Sequence, residues 1–411
     1  MGAPVEVWPV TRARTPEDIF RHCMPLFGAA FLRRIFLILD KAIGLGLPII
    51  LPMAGPITVS NQHRSWVNPL LETGWIAYIT VTDAICYHDG HDSLARFKKR
   101  PIREVAMRGR DKEYGKRGVI RVTDGGFPEQ ILFDQDAMIT AFLRQPELQR
   151  KMTGTEFRNL LGKYYARQEE ANGVEPGLLS TCWRNGIPVF VGAPGDGSVF
   201  LNQVKLWVAH RLGKIEHKFE LDIEGEVFES CAYHYWGLTA SDARALAIFI
   251  LGGGVPKNFS LQPEPTLSQI FLLPNIRGYE VDVQIVGGAE ENGALSTCPA
   301  TEAHTWGKVS AEALDSRVES YSSDYTTHVP WIVWALLDKR RRFQELREQI
   351  GPRKLFQRHP EARGYLREKG QLRLFDRRDE LNQKLMERLG RPKQMRRLMR
   401  TFSFPLASPA R

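Results

Sequence analysis

The chain has 411 residues, of which 43% are hydrophobic and 25% charged, a balance typical of a folded protein and not of a disordered one. Its five cysteines are scattered and form no CxxC pair, which excludes a disulfide framework or thiolate zinc site and favours a reducing cytoplasm. No apolar run reaches the roughly 18 uncharged residues of a membrane span, and no secretory leader is expected. We therefore predict a soluble, cytoplasmic protein without a membrane partner.

The net charge of +9 is unevenly distributed along the chain. From Lys339 to Arg411 there are 22 lysines and arginines against 8 aspartates and glutamates, so the remainder is net negative. An acidic body suits a cationic substrate. A basic tail suits an anionic partner, nucleic acid included, or an acidic patch of the body itself.

The first part of the chain predicts helices followed by a parallel strand pair. Residues 1–45 form an N-terminal helical segment, with Thr15 as the cap of a helix that begins at Pro16. Apolar runs at 47–51 and 77–81 predict two strands, and the segment between them, 65–74, is helix-like. A strand, helix and strand at this spacing form a βαβ unit.

The same alternation continues toward residue 337. The expected elements are a helix at 178–185, a strand at 187–191, a loop at 192–198, a helix at 241–249 running into the apolar residues 247–251, and a strand at 281–286. Each strand opens into a glycine-rich or polar loop. We predict an α/β domain over 46–337, an open, mostly parallel sheet flanked by helices with its site at the carboxyl ends of the strands.

Residues 338–411 are expected to form a basic helical C-terminal extension. Apolar residues recur there at helical spacing, but proline and glycine divide the segment into short helices that are too small for a core of their own. The extension therefore packs on the body, joins a subunit interface or binds a partner.

Three loops offer polar or glycine-rich chemistry. Gly252-Gly253-Gly254 would let a dinucleotide approach the backbone closely, although a plain tight turn explains it equally well. Asp196, in a turn after a strand, is a candidate for a ribose hydroxyl or a substrate amine. HDGHD at 88–92 has the side chains of a metal site, but Gly90 argues against the helix such a site needs, so we expect hydrogen bonding at a strand end and no metal.

Lys308 is the strongest single candidate. It follows Trp306 and Gly307 and lies six residues after Glu302. A lysine is a Schiff-base nucleophile only when neutral, and burial against an apolar wall lowers its pKa toward that state. Trp306 can supply the wall and a cation–π face for an amine, and Glu302 can bind an ammonium or move protons. The alternative is a surface lysine at the end of a loop.

Taken in order, these motifs resemble the deoxyhypusine synthase family over roughly residues 30–335. The resemblance is carried by Leu251-Gly252-Gly253-Gly254-Val255-Pro256-Lys257, by residues 193–198, by Ser323-Asp324 and above all by Glu302-Ala303-His304-Thr305-Trp306-Gly307-Lys308-Val309. Glycine turn and lysine motif together are a specific combination.

The resemblance implies an NAD-dependent transfer through a lysine imine, in a homotetramer with active sites shared between subunits. In the family, NAD oxidises spermidine beside its secondary amine, the lysine captures the aminobutyl group, and the group passes to an acceptor amine. The site residues it implies are catalytic Lys308 and Glu302; substrate-binding Trp306, Asn258 and Asn202; and cofactor-binding Ala84, Asp89, Asp196, Gly252, Gly253, Gly254, Gly293, Ser296 and Asp324.

Several positions depart from the enzymes that modify a translation factor. Asn258-Phe259 stands where those enzymes have histidines, and Leu201 and Leu295 replace two aspartates. This pattern resembles the bacterial deoxyhypusine synthase-like branch, some members of which make homospermidine. We expect a small diamine as acceptor, with a translation-factor lysine as the alternative. A catalytically silent NAD-binding protein whose tail binds a partner also stays open.

Overall fold

The computed structural model describes residues 5–402. The α-helices are α1 (Pro16–His22), α2 (Gly28–Gly44), α3 (Asn68–Leu71), α4 (Asp83–Phe97), α5 (Asp111–Lys116), α6 (Gln130–Leu143), α7 (Gly154–Asn172), α8 (Leu178–Asn185), α9 (Ser198–Arg211), α10 (Ile223–Thr239), α11 (Gly254–Leu261), α12 (Pro263–Pro265), α13 (Ala300–Thr305), α14 (Ala311–Leu314), α15 (Tyr325–Ile350), α16 (Pro352–Arg358), α17 (Ala362–Tyr365), α18 (Arg378–Gly390) and α19 (Pro392–Met399). The strands are β1 (Ile49–Pro52), β2 (Ile76–Val81), β3 (Arg103–Glu104), β4 (Val119–Val122), β5 (Gly125–Pro128), β6 (Lys151–Met152), β7 (Val189–Val191), β8 (Glu220–Leu221), β9 (Ala247–Leu251), β10 (Val281–Val286) and β11 (Val318–Ser322).

Six parallel strands form the central sheet, in the order β11-β10-β9-β1-β2-β7. Ile50 of β1 lies opposite Tyr78 on one side and Ile248 on the other. The chain fills the sheet outward from β1 toward β7 and then from β9 toward β11, so the order reverses between β1 and β9. At such a switch point the connections leave in opposite directions and open a crevice beyond the strand carboxyl ends.

The sheet is covered on both faces. Every residue of β1, β2, β9 and β10 is buried. Burial on both faces explains the continuous apolar runs of β1 and β9, whereas β10 buries Asp282 and Gln284 between its apolar residues. Leu51 and Ile79 belong to the core on one face, and Ile50, Tyr78 and Ile248 belong to the core on the other. The predicted fold class is therefore confirmed.

The basic extension packs on this body. Helix α15 continues through residue 338 without interruption, and its Phe343, together with Tyr365 of α17, joins the first core. Leu381 and Leu385 of α18 join the second core, where α18 packs against α10. The apolar residues at helical spacing are thus the docking side of the tail, while its arginines and lysines surround them.

Part of the tail's charge is neutralised within the chain at a group that we call the Lys339 cluster (Lys339, Arg342, Glu17, Arg21 and Asp40). Lys339 Nζ donates to Asp40 Oδ1 at 2.6 Å and to Glu17 Oε1 at 3.1 Å. Arg342 donates to Glu17 at 2.8 Å, and Arg21 bonds both carboxylates. The cluster joins α15 to α1 and α2.

The expected start of the first helix is confirmed by its cap. Thr15 accepts a hydrogen bond from the Asp18 N–H, and the Asp18 carboxylate accepts one from the Thr15 N–H, a reciprocal capping box. The helix predicted over 241–249 is wrong. Helix α10 ends at Thr239, and Ala247–Leu251 is strand β9, because a short apolar run is ambiguous until it pairs with neighbours on both sides.

The prediction of a strand end at HDGHD is also wrong, because residues 88–92 lie within helix α4. Gly90 is required there by packing, since a Cβ would lie 2.5 Å from Gln135 Nε2 and would collide with the Tyr165 ring. The helix brings His88 Nδ1 to 3.2 Å from His91 Nδ1. Within residues 5–402, no group of three or more metal-ligating side chains is arranged to hold an ion.

No helix in the described part of the chain combines the length and the apolar character that crossing a membrane requires.

Candidate active site

The glycine turn lies at the switch point of the sheet. Gly252 follows β9 with φ of 82°, in the left-handed region that favours glycine, and a Cβ there would lie 2.6 Å from the Ala54 carbonyl oxygen after β1. Gly253 is the N-cap of α11, which begins at Gly254. The three glycines therefore leave the backbone without side chains at the place where two strand ends and a helix N-terminus meet.

The loop after β10 lies over this turn. A Cβ on Gly254 would lie 3.1 Å from the Ser296 nitrogen and 2.9 Å from Leu295 Cβ. Gly293, with φ of 69°, is exposed at the start of the same loop. The structure thus brings Ser296 against the glycine turn, as the sequence pattern predicts for residues that share a site.

The remaining strand ends carry exposed residues that the sequence predicts for the site. Ala84 is exposed in the first turn of α4 after β2, and Asp196 is exposed after β7. Asp324 is the N-cap of α15 after β11, where its carboxylate accepts from the Thr326 N–H at 2.9 Å. These side chains share the carboxyl edge of the sheet with the glycine turn.

Two residues that the sequence predicts for the site are buried and hydrogen-bonded within the protein. Asp89 is fully buried, and its two carboxylate oxygens accept from the N–H groups of Leu178 and Leu179 at 2.6 and 2.8 Å, which caps α8. Asn202 is buried on α9 and donates to Asp136 at 2.7 Å and to the Ser198 carbonyl at 2.9 Å. Their hydrogen bonds position helices.

The backbone of Lys308 is fixed by the short helix that precedes it. Helix α13 ends at Thr305, and Gly307 turns the chain with φ of 77°. The Lys308 N–H then donates to the Ala303 carbonyl at 3.1 Å, and the Lys308 carbonyl accepts from Tyr279, just before β10, at 2.9 Å. The lysine is therefore held at a defined position and not on a free loop.

The Lys308 side chain is half-buried. Burial lowers its pKa from the ordinary value, while Cys298, Glu264 and Glu302 act in the opposite direction. Its Nζ lies 5.8 Å from the centroid of the Trp306 ring, within cation–π range. Trp306 is 57% exposed, so the aromatic wall beside the amine is open to a ligand. We call Lys308, Trp306, Glu302, Glu264 and Cys298 the Lys308 site.

A second lysine, Lys257, connects this site to the glycine turn. It is buried on α11, and its Nζ donates to Gln284 Oε1 at 2.8 Å, to the Ser296 carbonyl at 3.0 Å and to the Cys298 carbonyl at 2.5 Å. Burial lowers its pKa, and Lys308 lowers it further. Lys257 lies in the motif that contains the three glycines, but the motif alone assigns it no role. Its hydrogen bonds to residues 284, 296 and 298 show that it links the glycine turn to the loop before Lys308.

Glu264 is the other residue that sequence reasoning missed. It is buried, and its Oε2 has no hydrogen-bond partner. Burial raises its pKa to about 7, against the influence of Ser268 and Lys308. Asn258 lies on the preceding helix α11, where it is half-buried and follows Lys257. A glutamate between prolines, as in Gln262-Pro263-Glu264-Pro265, gives no sign in the sequence that its carboxylate lies against Gly307, far along the chain.

The sheet order and the bare turn at its switch point define the class: a doubly wound α/β protein with its candidate site at the strand carboxyl ends. The sequence model of the family named deoxyhypusine synthase matches residues 24–336. The chain belongs to the deoxyhypusine synthase family, which confirms the resemblance seen in the motifs.

Individual relatives agree with this assignment. A deoxyhypusine synthase-like protein of Nostoc punctiforme is 29% identical over 343 residues, covering 82% of this chain and 84% of the relative. A protein of the same description from a Cyanothece strain is 30% identical over 78% of this chain and 79% of its own length. A Methanosarcina mazei protein named "Probable deoxyhypusine synthase 2" is 28% identical over 71% of this chain and 77% of its own length.

The fold has a solved counterpart. The crystal structure of an Entamoeba histolytica protein assigned as a deoxyhypusine synthase superposes with a TM-score of 0.50 and 12% identity, over 80% of this chain and 96% of that one. At this identity the likeness concerns the fold alone. Together with the family match, this likeness identifies residues 24–336 as the family's α/β domain. The basic tail lies outside the region that the family model matches.

Proposed function

We propose that this chain is an NAD-dependent transferase that moves an aminobutyl group from spermidine, or a related polyamine, to an amine acceptor through an imine on Lys308. The observation that carries the proposal is the state of Lys308: a fixed, half-buried lysine with a lowered pKa beside an open tryptophan face. A solvated surface lysine would have neither the burial nor the wall.

The carboxyl edge of the sheet fits a dinucleotide. The glycine turn offers the space that a Cβ would fill, and the N-terminus of α11 offers unpaired N–H groups to a phosphate. The residues that would hold NAD are Gly252, Gly253, Gly254, Gly293, Ser296, Asp324, Ala84 and Asp196. We leave Asp89 out because its carboxylate is already bonded within the chain. When bound, NAD accepts a hydride from the polyamine carbon and returns it at the end.

The chain's own residues then carry the group. The neutral Lys308 nitrogen attacks the oxidised carbon and forms a new C–N bond. The old C–N bond breaks, 1,3-diaminopropane leaves with the proton that Lys308 gives up, and the four-carbon imine stays on the lysine. An acceptor amine repeats the exchange and frees Lys308. Trp306 covers the chain of the substrate, and Glu302, exposed on α13, binds a terminal ammonium.

A small diamine is the acceptor we favour, with homospermidine as the product from putrescine. The support is the altered polyamine side of the site: Asn258 lies beside Lys257 on α11, and Leu295, 48% exposed, lies against Gly254. Neither side chain offers a charge to a long polyamine or to a protein lysine. The alternative acceptor is a lysine of a translation factor.

Product analysis separates these acceptors. Purified chain is mixed with NAD, spermidine and either putrescine or a translation-factor substrate, and the products are identified by mass spectrometry. We expect homospermidine and 1,3-diaminopropane in equal amounts, and neither with Lys308→Met. Deoxyhypusine formation without homospermidine would contradict the diamine acceptor. Turnover by the Lys308→Met variant would contradict the lysine imine.

We also propose a homo-oligomer. Helix α9 and the residue that follows it present a stripe of exposed apolar side chains at helical spacing: Leu201 (55%), Val204 (41%) and Val208 (43%) on the helix and Leu212 (68%) at its C-cap, with Trp207 (53%) beside them. A stripe of this kind on a soluble chain is typical of a covered surface. Size-exclusion chromatography with light scattering should give a multiple of the 46.8 kDa chain mass, and a monomer would contradict the proposal. The five free cysteines fit a reducing cytoplasm.

A further inference from the structure

A buried acid lies behind the lysine loop. Glu264 is 2% exposed, and one of its carboxylate oxygens, Oε2, has no hydrogen-bond partner. A buried polar atom without a partner is destabilising, so its retention calls for a reason. The mechanism above does not use this residue.

The contact that aims Glu264 is with Gly307. A Cβ on Gly307 would lie 2.8 Å from Glu264 Oε2 and 3.1 Å from Oε1, so both carboxylate oxygens face the residue just before Lys308. The φ of 77° favours glycine at position 307. The same segment touches the loop again, where Gln269 Nε2 donates to the Trp306 carbonyl at 3.4 Å. The carboxyl group is therefore packed onto the backbone that carries the lysine.

The two side chains act on each other electrostatically. Lys308 lowers the pKa of Glu264, which burial raises to about 7, and Glu264 raises the pKa of Lys308, which burial lowers. Both groups are thus moved toward a common range in which a proton can pass between them.

Other titratable groups surround this pair. Cys298 and Glu302, from the loop and the helix before Lys308, raise its pKa, and Lys257 on α11 is close enough for Lys308 to lower its pKa. Helix α10, which packs against the 263–270 segment, brings the Cys231 thiol to Thr266. Of these groups, Cys298 and Glu302 are partly open to solvent, whereas Glu264 is enclosed with the lysine loop on one side.

We propose that Glu264 exchanges the proton that the Lys308 nitrogen loses each time it forms a bond to carbon. Lys308 forms no ion pair with Glu264 in the free chain, so its flexible side chain turns toward the carboxylate for this step. The proton moves from nitrogen to a carboxylate oxygen of Glu264 as the C–N bond forms, and returns to the departing amine nitrogen as the other C–N bond breaks. Glu264 ends each exchange in its starting state, and no electrons move. This role rests on the proposed function for its carbon chemistry, but the charge exchange with Lys308 is a property of the free chain.

The test compares wild type with Glu264→Gln in two measurements. The first needs no polyamine: the rate at which an isotope-labelled acetylating reagent modifies Lys308 is followed by mass spectrometry from pH 6 to 10. Because the variant lacks the carboxylate charge, its midpoint should fall by about one pH unit. The second is the rate of borohydride-trapped adduct formation with NAD and spermidine, which should fall about 100-fold, the usual contribution of a proton-transferring side chain.

A lower midpoint makes the acetylation of Lys308 faster at a given pH, whereas the trapping rate falls. These opposite effects on the two rates exclude a structural role, which would lower both rates or neither. Glu264→Asp keeps the acid and should recover most of the trapping rate. Glu312→Gln, which removes an exposed carboxylate on α14, is the matched control and should change neither measurement. An unchanged midpoint or an unchanged trapping rate in Glu264→Gln overturns the proposal. If wild type itself forms no adduct, the proposed function fails, and the midpoint alone decides whether the two residues share charge.

Discussion

The Lys308 site and the Lys339 cluster both withdraw a lysine from water, but in opposite ways. Lys339 is 9% exposed and bonded directly to Asp40 and Glu17, so its charge is fully compensated. Lys308 makes no ion pair within the described residues; carboxylates surround it at longer range, and burial lowers its pKa. The comparison teaches that direct pairing holds a lysine as a cation, whereas burial without pairing brings it toward the neutral nucleophile.

The carboxylates of the two regions show the same contrast. Burial alone would raise the pKa of Glu17, but hydrogen bonds from Arg342 and Arg21 lower it to about 2. Burial raises the pKa of Glu264 to about 7. The Lys339 cluster stabilises charged side chains, whereas burial at the Lys308 site favours their neutral forms, as expected of a structural contact and of the proposed proton-transferring site respectively.

The largest expected effect separates the two lysines by activity. Lys308→Met should lower kcat by on the order of 10⁴-fold, as expected when a covalent nucleophile is lost. Lys339→Met should leave kcat within about threefold at a temperature where the variant is folded. The check is steady-state release of 1,3-diaminopropane by both variants. An equal loss of kcat in both variants would contradict the distinction between Lys308 and Lys339.

Stability should show the reverse order. Lys339→Met leaves Asp40 and Glu17 short of a partner and should lower the free energy of unfolding by about 3 kcal/mol, typical of a buried pair that loses one member. Lys308→Met removes a half-buried amine that has no ion partner among the described residues and should change the free energy of unfolding by less than about 1 kcal/mol. Urea unfolding at pH 7 measures both values. A larger loss for Lys308→Met would show that Lys308 is the structural lysine.

The smallest effect is a difference in pH dependence. The lowered pKa of Glu17 gives stability that is present above about pH 4.5 and lost as the pH falls toward 2; the raised pKa of Glu264 gives stability that is present below about pH 4.5 and lost as the pH rises through 7. Relative to wild type, Glu17→Gln should therefore lose stability as the pH rises from 3 to 5, and Glu264→Gln should gain it from 5 to 8.

Each difference has an upper bound of about 3 kcal/mol, since one pKa unit corresponds to about 1.4 kcal/mol. Urea titrations of the two variants and wild type at four pH values give the slopes. Slopes of the same sign would mean that the two carboxylates occupy similar environments.

Much of the fold followed from the sequence because buried parallel strands are short apolar runs that end in glycine or polar loops. The failures have a common cause in tertiary packing. Gly90 suggested a loop, yet the Tyr165 ring and Gln135 require a glycine inside α4. The run 247–251 suggested a continued helix until β1 and β10 paired with it.

Site residues could be predicted from the sequence only where they lie together in one short motif. Glu302, Trp306 and Lys308 lie within one short segment, and the structure places Trp306 beside the lysine. Lys257 and Glu264 act through contacts with residues far along the chain, which no local pattern records. Asp89 and Asn202 lie in motif positions but are bonded to helices of the body.

The most direct test of the central claim is the capture of the imine itself. Wild-type chain is incubated with spermidine and NAD, reduced with borohydride, digested and analysed by mass spectrometry. The account predicts a reduced four-carbon amine adduct on Lys308 and unmodified Lys257 and Lys339. Turnover of spermidine with Lys308 unmodified, or with the adduct on another lysine, would contradict it.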